Sequence, residues 1–355
     1  MVATLRDVAR AAGVSPATAS RALSHPELVA PARRALVERA AHELDYRPNR
    51  AARELSSGRT GNLCLVVPDV ANPFFAGLVK GVQARARELG YGVFVADSDE
   101  DPHLEADLVA QLGAQADGTL LASPRMSDAD IARLPDDRPL VLVNRRHPGR
   151  SSVVIDNTDG MRQAVRHLHA LGHRRIGFAG GPAGSWSDAR RRDGLEVAAH
   201  GLHRLQIVDL GHFPASAGGG TAAADVAAAA GVTAVLAHND LVALALVDRL
   251  RSRGLAIPQD VSVVGHDDTV ASLGSPRLTT IAVPLARLGR AAVDRLLDGA
   301  PTEPDVALPV ELLVRASTAP APPSATADSE ADPDSDPQTD PSRDRDTSAD
   351  ESETR

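Results

Sequence analysis

From residue 61 to about residue 282 the chain alternates short, apolar, β-branched runs with stretches of helical periodicity, and this alternation restricts the fold more than any other feature. The runs are residues 63–67, 92–96, 118–122, 140–143, 176–179, 205–210, 234–237 and 261–265. Between the first two, Phe75, Leu78, Val79, Val82, Ala86 and Leu89 recur at helical spacing. Continuous apolar strands separated by helices predict parallel sheets covered on both faces. Roughly 255 residues follow residue 60 ahead of the tail, enough for one or two α/β lobes. In open parallel sheets ligands bind beyond the carboxyl ends of the strands. A pocket is therefore expected in the loops that follow strands.

Ahead of that body, residues 4–24 read TLRDVARAAGVSPATASRALS, which predicts two short helices joined by a tight glycine turn. Gly13 supplies the turn, and Ala9 sits where the helices approach. Val8, Ala12, Val14, Ala19 and Ala22 make a seam too small to admit a bulky side chain. Thr4 with Asp7 forms a capping box, and Ser15 with Pro16 is an N-cap followed by proline at the first helical position. This is a helix-turn-helix, whose second helix enters the DNA major groove with its N-terminal side chains facing base edges. Those side chains are Pro16, Ala17, Thr18 and Arg21. Pro16 and Ala17 have little hydrogen-bonding capacity, so specificity is expected to lean on Arg21. A third helix is predicted over 31–44, where Ala30 in place of a capping Ser or Thr costs about 1 kcal/mol. An ordinary helical hairpin would share the seam but explains neither the glycine nor the segment that follows.

Charge separates along the chain. Residues 1–60 carry ten arginines against six acidic residues, and residues 316–355 carry three against eleven, so the tail supplies most of the formal net charge of -9. The positive end is the part expected to meet phosphates. Lys80 is the only lysine, and phosphate contact does not require lysine. The tail from residue 319 is Pro, Asp, Ser and Thr without leucine and is expected to be disordered. A single cysteine, Cys64, excludes a disulfide framework and is expected to be a buried small hydrophobe. No signal peptide and no apolar run of about 18 residues is present, so a soluble, cytoplasmic protein with no membrane partner is expected.

After the third helix comes YRPNRAARELSSGRTGN, residues 46–62. With Val8-Ala9, Gly13-Val14-Ser15, Thr18, Ser20-Arg21, Tyr46-Arg47-Pro48-Asn49, Ala52-Arg53 and Leu55, the chain resembles the lactose and galactose repressor (LacI/GalR) family of bacterial transcription regulators, from about residue 3 to about residue 318. The resemblance implies an all-α helix-turn-helix headpiece (1–47), a hinge helix (48–60), an α/β two-lobed body of the periplasmic-binding-protein type with parallel sheets (61–318), and the acidic tail (319–355). Three crossovers join the lobes, expected at 61–157 with 283–304 and at 158–282 with 305–316. The implied DNA contacts are Thr4, Ser15, Pro16, Ala17, Thr18, Ser20, Arg21, Asn49, Ala52, Arg53 and Leu55. Leu55 would enter the minor groove at the centre of a palindrome. The hinge segment is arginine-rich and flanked by Pro48 and Gly58, a marginal helix alone, so folding on DNA would couple affinity to the state of the body.

By the same resemblance an effector cleft lies between the lobes, lined by Asn72, Phe74 and Phe75, by Ser185, Trp186, Ser187 and Arg191, by Phe213, and by Asn239 and Asp267; Ser123 is a weaker candidate. Each has a plainer reading. Phe75 could be core, Arg191 could be a solvated neighbour of Arg190 and Arg192, and Asp240 is expected to cap a helix. Asp267, at a strand end beside a cleft, and Trp186, an indole in a serine-rich loop, are the strongest individual candidates. Aromatic faces with Asn, Asp and Arg suit a small polar ring. A sugar is favoured, with a purine, a phosphorylated sugar or no effector as alternatives. Ala189 and Asn144 depart from common family residues, which bars copying one relative's ligand. The tail lacks leucine heptads, so a homodimer is expected on operator DNA.

Other chemistries fit poorly. Asp97, Asp99 and Asp101 imitate the start of a calcium loop, but Pro102 and Leu108 occupy its glycine and terminal-acid positions. No HExxH, paired-cysteine, GxSxG or GxxxxGK[ST] pattern occurs, so neither metal nor cofactor is expected. The rival classes are an enzyme on an α/β scaffold, disfavoured for want of a nucleophile or base set, and a binding protein that never touches DNA, disfavoured by the headpiece.

Overall fold

The computed structural model describes residues 3–24, 26–46, 59–298 and 306–323. Asn49, Ala52, Arg53 and Leu55, the hinge positions expected at DNA, lie outside the described residues.

Three helices form the headpiece: α1 (Leu5–Ala11), α2 (Pro16–Ser24) and α3 (Pro31–Glu43). At the start of α1, Thr4 N donates to Asp7 Oδ2 at 3.0 Å and Asp7 N donates to Thr4 Oγ1 at 3.4 Å, which closes the capping box. Gly13 turns the chain at a φ of 64°, a conformation that a Cβ would strain. Ser15 Oγ then accepts from Thr18 N at 3.1 Å as Pro16 opens α2. Val8, Ala9, Ala19, Ala22, Val37 and Ala40 are buried among the three helices, with Ala12, Val14 and Tyr46 packed against them. Alanine dominates this core, so the helices lie close while burying little area. Ala30 offers α3 no side-chain cap.

The body begins with β1 (Asn62–Val67), β2 (Gly92–Asp97), β3 (Thr119–Ala122), β4 (Leu140–Val143) and β5 (Ser151–Ile155), interleaved with α4 (Pro73–Glu88), α5 (Pro102–Gly113) and α6 (Asp128–Arg133). Next come α7 (Asn157–Ala170), β6 (Arg175–Gly180), α8 (Trp186–Ala199), β7 (Gln206–His212), α9 (Ala217–Ala230), β8 (Ala234–Ala237), α10 (Asp240–Ser252), β9 (Ser262–Asp267) and β10 (Thr279–Ala282). The chain then returns through α11 (Leu285–Asp298), which packs on α4 and the first sheet, before β11 (Val306–Leu308) and β12 (Glu311–Leu313). The two sheets run β11-β5-β4-β3-β1-β2 and β12-β10-β9-β8-β6-β7. Among the described residues only the β10–β12 pairing is antiparallel. Strand interiors such as Leu63–Val67 are wholly buried, as a sheet covered on both faces requires.

Several expectations need correction. Strands β5, β10, β11 and β12 were not anticipated, because they are short or begin with polar residues and have no period to read. The return to the second lobe lies after Leu308, not at 305, since Val306, Ala307 and Leu308 pair with Val153, Val154 and Ile155 of the first sheet. The packed body also runs past 318: Ala319 N donates to Ser262 Oγ at 3.0 Å and Ala321 N to Leu171 O at 2.8 Å. Cys64 is buried, and burial pushes its thiol up to about 11. No helix among the described residues is long and apolar enough to cross a membrane.

Candidate functional site

Two surfaces carry the residues singled out in the sequence. On α2, Pro16, Ala17, Ser20 and Arg21 are exposed together, one turn apart. Other expected contacts are occupied locally. Thr4 Oγ1 donates to Asp7 Oδ2 at 2.6 Å, and the hydroxyls of Ser15 and Thr18 lie 2.9 Å apart. Side-chain reach beyond the headpiece therefore falls mainly to Arg21 and Ser20.

The second surface is a cleft between the lobes, built by loops at the carboxyl ends of strands. Its central part brings together Asn72 after β1, Ser123 and Arg125 after β3, Asn144 after β4, Ser187 and Arg191 on α8, His238 and Asn239 after β8, and Asp267 at the end of β9, with Phe74 and Phe75 alongside. The free volume there is only about 30 Å³. Beside it lies an outer space of about 420 Å³, lined by Asp69 and Glu100 from the first lobe and by Pro182, Ala183 and His212 through Ser216 from the second. Ala215 borders both. Ser123, Asn144 and Asp267 hold φ values of 44°, 57° and 101°, in the left-handed region. Such strain costs about 1–3 kcal/mol per residue and concentrates where side chains must be aimed.

Arg191 is the hub of the central part. Its Nε donates to Asn157 Oδ1 at 3.0 Å, its Nη1 donates to the His238 carbonyl, and its Nη2 lies 3.9 Å from Asp267 Oδ1. His266 Nδ1 lies between them, 2.7 Å from Asp267 Oδ1 and 3.2 Å from Arg191 Nη2. Burial and the neighbouring Arg191 charge hold the His238 imidazole down at about 4, and the same two causes hold His266 well below its ordinary value. Both rings are therefore neutral. Burial pushes Asp267 up to about 6 against the pull of Arg191. Asp188 is held well below the carboxylate range despite burial, by His238, by the Gly181 N–H at 2.7 Å and by Arg192 Nε at 2.9 Å.

Asn144 Nδ2 donates to Ser123 Oγ at 3.1 Å, and Asn157 Nδ2 donates to Asn144 Oδ1 at 3.3 Å, which extends the polar network across the lobes.

The expected lining residues divide into three groups. Asn72, Phe74, Phe75, Ser123, Ser187, Arg191, Asn239 and Asp267 meet around the central part. Phe75 is also core, only 4% exposed and edge-on to Phe74 at 5.1 Å between ring centres. Phe213 lines the outer space. Ser185 and Trp186 line neither. Ser185 is the N-cap of α8, accepting from Asp188 N at 3.4 Å, and the Trp186 indole is covered by the Arg190 guanidinium one turn along, 5.8 Å from its ring centre. Arg191 is buried, not solvated beside its neighbours.

Capping of α10 falls to Asn239, whose Oδ1 accepts from Val242 N at 2.9 Å, because Asn239 has the extended backbone that an N-cap needs. Asp240, expected as the cap, is instead the first helical residue, buried and accepting from Thr280 Oγ1 at 2.6 Å and Thr269 N at 2.8 Å. Arg125, Asn144 and His238 were not anticipated as lining residues. Each follows a strand, so the rule placing ligands beyond strand ends was the signal available.

Burial, with the Asp267 charge second, raises Asp240 from 3.8 to about 7. The folded protein thus keeps a proton that the unfolded chain releases near pH 4, so this contribution to stability is full at acid pH and is lost as pH rises through 7. Denaturant unfolding from pH 5 to 8 should show stability falling, and Asp240→Asn should flatten the fall.

Similarity to known proteins points the same way. Residues 4–49 match the family model described as bacterial regulatory proteins, lacI family, and residues 165–318 match the periplasmic binding protein-like domain. The chain is 31% identical over 336 residues to the transcriptional regulator DegA of Bacillus subtilis, covering 90% of this chain and 99% of that one. Among solved structures it resembles the lac repressor dimer bound to operator and the anti-inducer ONPF, with a TM-score of 0.80, 30% identity and coverage of 90% and 100% of the two chains. It also resembles a complex of the regulator CelR with cellobiose, with a TM-score of 0.65, 32% identity and coverage of 89% and 99%.

Proposed function

The chain belongs to the lacI family of bacterial regulatory proteins and is a transcription regulator, not an enzyme; we propose that it is a repressor that binds a palindromic operator as a homodimer and is controlled by a small sugar-like effector in the interlobe cleft. The observation that carries this reading is one chain holding both an exposed recognition face on α2 and a cleft whose polar side chains converge from two lobes. Lobe closure around an effector would change the spacing of two hinge segments, residues 48–60 of each copy, and hence operator affinity. Such coupling is reciprocal: operator must change effector affinity by the same factor. The structures of the lac repressor with operator and of CelR with cellobiose support this assignment by likeness. A protein that acts on operator DNA would work in the cytoplasm.

The test is binding of the purified protein to DNA from its own promoter region, with Leu55→Ala as control, during titration with sugars, sugar phosphates and purines. Specific binding that the control weakens and one sugar shifts supports the reading. A response only to a purine or a phosphorylated compound replaces the sugar, and absence of specific binding removes the operator. Arg21→Ala should weaken operator binding by about 1–3 kcal/mol and relax base preference at one position of each half-site. Equal affinity of variant and parent in gel-shift titrations would remove Arg21 from the reading surface.

A further inference from the structure

The arginines around the cleft are engaged by carboxylates of the protein itself. The arginines that line it are Arg125 and Arg191. Arg191 is spent on Asp267, Asn157 and the His238 carbonyl. Arg125 is gripped by Glu100: its Nε donates to Glu100 Oε2, its Nη2 donates to Glu100 Oε1 at 2.9 Å, and its Nη1 donates to Ser123 O at 2.9 Å. The Arg125 backbone is pinned as well, because the buried Glu105 carboxylate accepts from Arg125 N at 2.8 Å and Met126 N at 3.0 Å. A bidentate arginine–carboxylate pair with the arginine only 10% exposed leaves little guanidinium charge for a ligand.

The pair also sits where it matters. Arg125 borders the central part, and its partner Glu100 borders the outer space, where Asp69 is a second carboxylate. Across from them the second lobe presents Pro182, Ala183, Phe213 and Pro214. Lining side chains thus total two arginines against Asp69, Glu100 and Asp267. A phosphate or carboxylate entering here would lose its hydration and find both arginines among the described lining residues already held by carboxylates, with His212, whose Nδ1 lies 2.9 Å from Gly181 O and 3.5 Å from Asp188 Oδ2, as the remaining basic side chain. An uncharged polyhydroxylated ring loses nothing comparable. It can lay an apolar face on Phe213 and donate hydroxyls to the carboxylates.

Building on the effector reading above, we propose that Glu100, by holding Arg125, is the specificity-determining residue that restricts this cleft to uncharged ligands, and that neutralising Glu100 creates an anion site. The outer space, about 420 Å³, falls within the range of small-molecule pockets. The ligand therefore extends from the central polar network into the outer space past this pair.

The test uses the full chain and three variants, Glu100→Gln, Arg125→Gln and the double variant, titrated calorimetrically with inorganic phosphate, hexose phosphates and the parent uncharged sugars. Circular dichroism and thermal melts confirm that each is folded. Glu100→Gln should gain about tenfold or more in affinity for hexose phosphate, while Arg125→Gln and the double variant gain nothing. Two results would overturn the proposal: a parent protein that binds a hexose phosphate at least as tightly as the matching sugar, or a folded Glu100→Gln variant without gain. The effector reading fails separately, when no uncharged sugar moves the parent protein off its operator even though Glu100→Gln acquires the phosphate ligand. That combination leaves the role of Glu100 standing.

Discussion

Replacing Arg191 with leucine should lower the free energy of unfolding by about 3–5 kcal/mol near pH 8 and abolish effector response, because it strands a buried carboxylate. Arg191 is 3% exposed and Asp267 5% exposed, so water cannot take over the lost partner. The His238 carbonyl and Asn157 Oδ1 lose their donors at the same time. The cost should depend on pH. Asp267 already titrates near 6 with the arginine present, and without Arg191 its carboxyl rises further. Protonation then relieves the defect in acid, and stability falls as pH increases through the raised value. Denaturant unfolding of Arg191→Leu, Asp267→Asn and the double variant at pH 5 and 8 tests this. The double variant should be less damaged than the two single effects summed. Additive losses at both pH values would show that the two groups do not interact, and the account of the hub would fail.

Replacing Gly289 with alanine should cost about 2–3 kcal/mol by overpacking against backbone. A Cβ there would lie 2.6 Å from Val82 N and 2.7 Å from Gly81 C, so backbone must move where α11 crosses α4. Gly77→Ala is the matched control in the same crossing. Its Cβ would meet Leu285 Cδ1 at 2.5 Å, the far end of a flexible side chain that can turn away. A loss under about 1 kcal/mol is expected there. The helix pair ties the returning chain to the first lobe. Equal unfolding curves for Gly289→Ala and the parent protein would show that the helices can separate freely.

The two sites were legible to different degrees. In the headpiece the capping box and Gly13 act through neighbours a few positions away, and the alanine seam joins three helices within about 40 residues. Their positions followed from spacing. In the cleft, strand ends identified the loops, and most of the expected residues do line it. Trp186 did not, because the residue that covers it, Arg190, is one turn farther along α8 and was read only as part of a charged run. The cap of α10 fell to Asn239 and not to Asp240, because neighbouring residues of similar chemistry are told apart only by backbone angles. Arg125 escaped notice because its meaning depends on Glu100, 25 residues earlier on a different loop.

Sequence pattern alone gave the helices, the longer apolar strands, the parallel α/β body, the helix-turn-helix and the loops that bear the cleft. Hydrophobic period, caps and turns act locally, and local order is what a linear text preserves. Which side chains face one another across the lobes, which arginines are already neutralised, and which strand receives the returning chain emerged from the folded arrangement. Those outcomes rest on pairings between segments far apart in the chain, such as Val306–Leu308 with Val153–Ile155, Arg125 with Glu100, and Arg191 with Asp267. Burial then sets their energetics, because a charge removed from water is stable only where a particular distant partner meets it.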